Sequence, residues 1–261
     1  MQPAIDVSNY SGVFSREQAA CWRENGYAHV ICGTQRPSIT RQQLEAAAAA
    51  GLTLDAYVYL YWRHNVAAQV KEALATLAGF PVGRLWLDCE DDPAGAGKDA
   101  IVGLIAEAVA ACGSFPRGIY TGRWWWAPNT GDSRDFAHLP LWHAEYTASP
   151  AVLPDFDAFQ GYGGWTRPQM WQFQGTTSLC GVTVDLNLRD AAPPPPAPED
   201  MTARDRIELA LLRSAQRFDR ARAAGRYVFR PAPERQDAVE LQRVEGDRGV
   251  SFEPPYVIEV D

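Results

Sequence analysis

The sequence predicts an α/β fold: an irregular (β/α) barrel of eight strands whose later units lack helices, joined to a small C-terminal α+β appendage. Three observations predict it. Short apolar runs alternate with helical patterns over about the first 190 residues, the signature of parallel βα units. The helical patterns stop after the fifth run, while strand-like runs continue. A proline run, PPPPAP at 193–198, then interrupts the chain.

Taken in order, AIDVS (4–8) leads into a helical pattern near 15–25, and YAHVICG (27–33) into an alanine-rich one near 40–50. LTLDAYVYLYW (52–62) precedes a helix near 66–78, and RLWLDCE (84–90) one near 98–112. RGIYTG (117–122) opens a fifth unit without a long helix. PLWHAEY (140–146), PQMWQFQG (168–175) and GVTVDLNL (181–188) follow, separated by Gly- and Pro-rich loops. Eight strands in so short a span fit a barrel smaller than the usual ~250-residue form. An open doubly wound sheet shows the same alternation, and periodicity does not separate the two.

Four consecutive prolines favour a stiff extended segment, so residues 191–199 read as a linker between a domain over 1–190 and an appendage over 200–261. Within the appendage, Ile207, Leu211, Ala215, Phe218 and Ala221 recur at helical spacing over 202–224. YVF (227–229), VELQRV (239–244) and YVIEV (256–260) read as short strands. The appendage has no tryptophan and carries 11 Arg against 13 acidic residues over 199–261, a poor match to a cell-wall-binding repeat. An anchoring role, in a virion or in self-assembly, is the expectation for it.

Bulk composition excludes several function classes. A net charge of −8 argues against nucleic-acid binding, which runs on clustered Lys and Arg. No apolar stretch reaches membrane-spanning length, so no membrane insertion is expected. Five widely spaced cysteines form no CxxC pair and suggest neither a disulfide framework nor a zinc site; they read as small buried residues of a protein kept reduced. No HExxH, GxSxG or P-loop pattern occurs, so no metal or other cofactor is expected. The first residues, MQPAIDVSNY, show no secretory pattern, so synthesis in the cytoplasm is expected.

The chemistry lies in the carboxylates. Side chains alternate across a strand, so Trp86, Asp88 and Glu90 share one face of RLWLDCE while Leu85, Leu87 and Cys89 share the other. In a parallel barrel the outer face packs under helices, and the inner face opens at the C-terminal strand ends into the catalytic pocket. Asp6 in AIDVS and Asp185 in TVDLN likewise sit late in apolar runs. A single strand-end Asp commonly accepts hydrogen bonds from the next turn, and Asp91 and Asp92 before Pro93 are read that way. For Asp6, Asp88, Glu90 and Asp185 together that reading weakens, because burying several like charges is costly unless protons are shared or used. Glycoside hydrolysis uses such an arrangement, with one protonated and one ionised carboxyl.

Aromatic residues support a carbohydrate cleft, since sugar rings pack their C–H faces on aromatic side chains. Tyr57, Tyr59 and Tyr61 alternate onto one face of the third strand. Trp124, Trp125, Trp126, Trp142, Tyr146, Trp165 and Trp171 crowd the later units. Three successive tryptophans cannot all face inward. Core packing accounts for most of the others taken singly; Tyr57, Tyr59, Trp142, Tyr146 and Trp171 are the candidate sugar contacts.

Over residues 4–188 the chain resembles glycoside hydrolase family 25, the Chalaropsis-type lysozymes, which include many phage endolysins. The resemblance is carried by AIDVSNYSG, WLDCE, GIYTG, PLWHAEY, MWQFQG and VTVDLNL in the family's order. Cys89 replaces an aliphatic residue between the two acids, Val58 stands where a histidine is common, and His143 where an aliphatic residue is usual. The resemblance implies an irregular β/α barrel that hydrolyses the β-1,4 bond between N-acetylmuramic acid and N-acetylglucosamine, with bacterial peptidoglycan as partner. It implies Glu90 as general acid, Asp6, Asp88 and Asp185 lining the same cleft, and Tyr57, Tyr120 and Trp142 as sugar contacts. A phage lysin, acting on the wall after phage-mediated release or within a virion, is the expected setting. A non-catalytic glycan-binding or virion structural protein of the same fold is the alternative.

Overall fold

The computed structural model describes residues 1–190, together with the backbone of three strands further on, Arg226–Pro231, Ala238–Val244 and Tyr256–Glu259. The chain divides into two compact units, Met1–Ala191 and Ala192–Asp261. The linker at 191–199 and the helix expected over 202–224 lie outside the described residues.

In the first unit eight strands close into a barrel in sequence order. They are β1 (Gln2–Val7), β2 (His29–Gly33), β3 (Thr53–Tyr59) and β4 (Val82–Asp88), then β5 (Arg117–Thr121), β6 (Leu141–Ala144), β7 (Met170–Leu179) and β8 (Val182–Arg189). β1 to β7 pair in parallel, each with the next. β8 departs from the expected parallel pattern: it runs antiparallel to both β7 and β1. The cause is local. Cys180 (φ +52°) and Gly181 (φ +78°) form a tight reversal after Leu179, so β7 and β8 make a hairpin with no room for a crossover helix.

Four helices cover the first half: α1 (Arg16–Glu24), α2 (Pro37–Ala49), α3 (Val66–Leu77) and α4 (Lys98–Ala111). Their starts are written in the sequence. Ser15 and Gln18 form a reciprocal capping box, Pro37 opens α2, and Asn65 Oδ1 accepts from Ala68 N–H at 2.7 Å. α3 buries Val66, Val70, Ala73 and Leu77, a stripe at spacings of four and three. A short α5 (Arg123–Thr130) follows β5, and Gly131 ends it at φ +68°.

Two cores result. The larger lies between barrel and helices and holds Leu85, Leu87 and Cys89; the smaller fills the barrel with Ala4, Ile31, Tyr57, Trp86, Tyr120, Trp142, Ala144 and Met170. The alternation expected for β4 is therefore realised. Trp86 spans the interior because Gly118 faces it: a Cβ there would strike the indole and lie 2.9 Å from Pro140 O. Of the three successive tryptophans, Trp125 and Trp126 are buried and Trp124 is 62% exposed.

The floor of the barrel, at the N-terminal strand ends, is polar. Asp55 Oδ2 accepts from Trp86 Nε1 at 3.0 Å and lies 3.4 Å from His29 Nε2. Arg84 Nη1 donates to Gln169 Oε1 at 2.6 Å, and Arg189 Nη2 to Gln2 Oε1 at 3.1 Å. Asp55 is thus a barrel acid that holds the fold together at the end away from the other four.

The expectation of reduced cysteines needs correction. Cys21 and Cys180 form a disulfide with Cα atoms 6.2 Å apart, while Cys32, Cys89 and Cys112 are free and buried. The partners are 159 residues apart, and only closure of the barrel brings α1 beside the β7–β8 turn. Trp22 Nε1 and Gln18 Nε2 donate to Leu179 O and Cys180 O at the same place. Replacing both cysteines by serine is expected to cost about 2–4 kcal/mol. Thermal unfolding should read this as a fall in Tm of roughly 5–15 °C; an unchanged Tm would mean the link constrains nothing.

In the second unit three antiparallel strands, β9 (Arg226–Pro231), β10 (Ala238–Val244) and β11 (Tyr256–Glu259), form a sheet in the order β11-β10-β9. They coincide with the three short runs read from the sequence.

Candidate active site

The mouth opposite the floor gathers the acids. Asp6 lies in β1, Asp88 ends β4, and Glu90 follows two residues later on the same side. Asp185 reaches this mouth from the reversed β8, where it pairs in register with Asp6. It therefore sits four residues into its strand instead of near the end, and the hairpin takes the place of a parallel strand end.

Asp6 is 6% exposed and Asp88 4%. Asp6 Oδ2 accepts from Asn187 Nδ2 at 2.8 Å and from Gln172 Nε2 at 3.0 Å. Asp185 accepts on Oδ2 from Gln172 Nε2 at 3.2 Å and on Oδ1 from Thr176 N–H at 2.6 Å. Thr176 holds φ at +54°, which side chains other than glycine rarely adopt, and β7 shifts register on either side of Gln174. This bulge aims the peptide N–H at Asp185; irregular backbone spent on a functional group is the usual place for such strain. Asp88 Oδ1 is buried without a hydrogen-bond partner.

All four acids hold their protons more tightly than free carboxyls. Burial pushes the Asp6 carboxyl up to about 7, with the Asp185 charge adding to the effect and the two amides opposing it. Burial also raises Asp88 well above the usual range, helped by Glu90, Asp6 and Asp91. Glu90 is raised by burial, then by Asp185 and Asp91; Asp185 is raised by burial and held back by the Thr176 N–H. Several carboxyls in one dry mouth share fewer charges than their number.

The aromatic candidates divide. Tyr57, Tyr120 and Trp142 line the barrel beneath the acids, with Tyr120 and Trp142 ring centroids 4.5 Å apart. Burial and the neighbouring acids raise the Tyr57 and Tyr120 hydroxyls well above their ordinary value. Tyr59 is half-buried and donates to Asp91 Oδ1 at 3.2 Å. Tyr146 is 61% exposed at the rim, and burial with the charges of Asp185, Asp6 and Glu90 pushes its hydroxyl up to about 12. Gly175 makes room for this ring: a Cβ there would lie 2.7 Å from Tyr146 Oη. Tyr61 falls past the end of β3 and is exposed.

Trp171 is not brought to the mouth. It is one residue out of step with the interior Met170 and Gln172, so it packs outside the strand against His143, Phe156 and Phe159. Its indole donates to Glu145 O at 2.9 Å. Asp91 does more than the expected turn: its carbonyl also accepts from Trp62 Nε1 and Trp125 Nε1, whose rings stack at 5.5 Å. Asp92 behaves as expected and accepts from Ala94 N–H.

Gln172, Asn187 and Thr176 escaped the sequence reading. The signal for two of them was present: Gln172 shares the parity of Met170, and Asn187 that of Asp185. The Thr176 contribution is a backbone N–H and leaves no trace in residue type.

Comparison with known proteins identifies the family. The family model described as "Lysozyme-like protein 1" matches residues 1–173. A Dictyostelium discoideum protein named "Probable GH family 25 lysozyme 3" is 32% identical over 201 residues, covering 70% of this chain and 40% of that relative. The chain thus spans less than half the length of that relative. The Caenorhabditis elegans "Lysozyme-like protein 5" is 32% identical over 184 residues, covering 64% of this chain and 83% of the relative. Among solved structures, the modular Cpl-1 endolysin complexed with a peptidoglycan analogue superposes with a TM-score of 0.51 at 18% identity, over 73% of this chain and 55% of that one. At that identity the likeness concerns the fold. The match over residues 1–173, together with a relative 32% identical and covered over 83% of its length, places this chain in glycoside hydrolase family 25, the lysozyme-like family.

Proposed function

We propose that the chain is a peptidoglycan hydrolase, an N-acetylmuramidase that cleaves the β-1,4 bond between N-acetylmuramic acid and N-acetylglucosamine. One observation carries the reading: Asp6, Asp88, Glu90 and Asp185 converge on a single mouth above an aromatic wall. Glycoside hydrolysis needs one carboxyl that keeps its proton near neutral pH and another that faces the developing cation. Glu90, at the opening and raised by burial and by its acidic neighbours, donates its proton to the leaving glycosidic oxygen. The carboxylates deeper in the mouth face the positive charge that grows on the sugar as that bond breaks. Water then adds to the sugar, and its proton returns to Glu90.

Tyr146, exposed at the rim, offers its ring to the sugar, and Tyr57 and Tyr120, with Trp142 buried among them, form the wall beneath. Bacterial cell wall is the partner this chemistry fits, and a solved endolysin of the same fold is complexed with a peptidoglycan analogue. The phage setting remains part of the proposal; the Cys21–Cys180 disulfide supports action outside a reducing cytoplasm.

The test is product analysis on purified peptidoglycan. New reducing ends terminating in muramic acid are expected. Ends terminating in glucosamine would assign the other glycosidic bond. No release at any pH from about 4 to 8 would favour a glycan-binding or structural role.

A further inference from the structure

Two side-chain amides stand between the aromatic wall of the barrel and its acids. Trp142 Nε1 donates to Asn187 Oδ1 at 2.8 Å, and Tyr120 Oη donates to Gln172 Oε1 at 2.8 Å. An indole N–H can only donate, so the Asn187 atom that faces it is the oxygen. The Asn187 NH₂ must then point the other way, to Asp6 Oδ2. Gln172 is oriented from both ends, because Asp6 and Asp185 present acceptors to its NH₂ while Tyr120 supplies a hydroxyl proton to its oxygen. Each amide is therefore locked in one of its two flips by an aromatic donor.

The resulting hydrogen bonds are unevenly shared. Asp6 accepts two amide N–H groups and Asp185 accepts two, one of them from Thr176. Among the described residues none reaches the carboxyl of Asp88 or Glu90, and Asp88 Oδ1 is buried without a partner. N–H donors favour the ionised form of a carboxyl, and a buried oxygen without donors favours the protonated form.

We propose that Gln172 and Asn187 are positioning residues that keep Asp6 and Asp185 more readily ionised than Asp88, so that the most tightly held proton at the mouth resides on Asp88, beside Glu90. The consequence for catalysis rests on the muramidase reading; the distribution of protons does not. The charged groups facing Asp6 are Asp185 from β8 and Glu90 after β4. Asp88, the hydroxyls of Tyr57, Tyr120 and Tyr146, and the Cys32 thiol share its surroundings. With carboxyls and weak acids as these neighbours, the amides are the groups that hold the Asp6 proton off.

Gln172→Met keeps the side-chain length and removes the amide. Its acidic limb in kcat/KM is expected to move up by roughly one pH unit, with kcat reduced about tenfold at pH 5 and KM little changed. Tyr120→Phe keeps the ring and frees the amide to turn, so a smaller shift in the same direction is expected. Carbon-13 titration of the Asp6 and Asp185 carboxyls in the free protein should show both midpoints raised in Gln172→Met. That readout needs no turnover: raised midpoints in a wild type that cleaves nothing would uphold the positioning role while removing the muramidase reading. Unmoved midpoints, or a uniform loss of rate with an unmoved limb, overturn the proposal. If Gln172→Met does not fold, an unmoved Tyr120→Phe titration overturns it equally.

Discussion

Glu90→Gln is expected to lower the release of reducing ends from peptidoglycan by about 10³-fold while leaving the protein folded. The amide has the size of the carboxyl but no proton to give. General acid catalysis contributes on the order of 10²–10⁴-fold, and this residue is its candidate donor. A 10³-fold loss corresponds to about 4 kcal/mol of the barrier. Sugar binding should survive, because the aromatic wall is untouched and the neutral amide replaces a carboxyl that carries its proton in the working enzyme. Glycan binding with kcat lost is therefore the expected pattern. Full activity in Glu90→Gln would remove Glu90 from the chemistry, and loss of binding would reassign it to substrate recognition.

Asp88→Asn is expected to do two opposite things. Activity should fall by roughly 10²–10³-fold, because an amide cannot hold or pass on the proton that Asp88 keeps beside Glu90 at the mouth. Stability near neutral pH should rise by about 1–2 kcal/mol, or a few degrees in Tm. The sign follows from linkage. Burial raises the Asp88 carboxyl in the folded protein above its unfolded value, so the folded state binds the proton more tightly. Stability from such a group is present below the unfolded value near 4 and is lost as pH climbs through the folded value. Asparagine carries no charge to bury, so the advantage of the variant should be largest at neutral pH and fade toward pH 4. The same sign applies to Asp6, raised to about 7, so the wild type itself should gain Tm as pH falls from 7 toward 5. A variant that loses both rate and Tm at pH 7 would show Asp88 to be structural.

The strand alternation was legible because apolar residues at period two, broken by helical patterns, leave few other folds. Asp6, Asp88 and Glu90 were legible for the same reason, since parity along β1 and β4 assigns them to the interior. Parity read over a longer stretch would also have turned Trp171 outward and Gln172 inward. The reversal of β8 was harder: its signal is Cys180-Gly181 between two strand runs, and that pair is not a standard hairpin turn. The disulfide lies between residues that only a closed barrel brings together. The Thr176 N–H belongs to the backbone, which sequence patterns of side chains do not report.

Reversal of β8 also decides where the chain enters and leaves. Because β1 starts at the floor and β8 ends there, Gln2 and Arg189 pair side by side beneath the barrel, with the acids at the far end. Evolution can therefore splice this barrel into longer polypeptides on either side without threading new sequence across its working end. A circular permutant joining residue 190 to residue 2 by a short linker, and opened in a surface loop, is a natural format for engineering it.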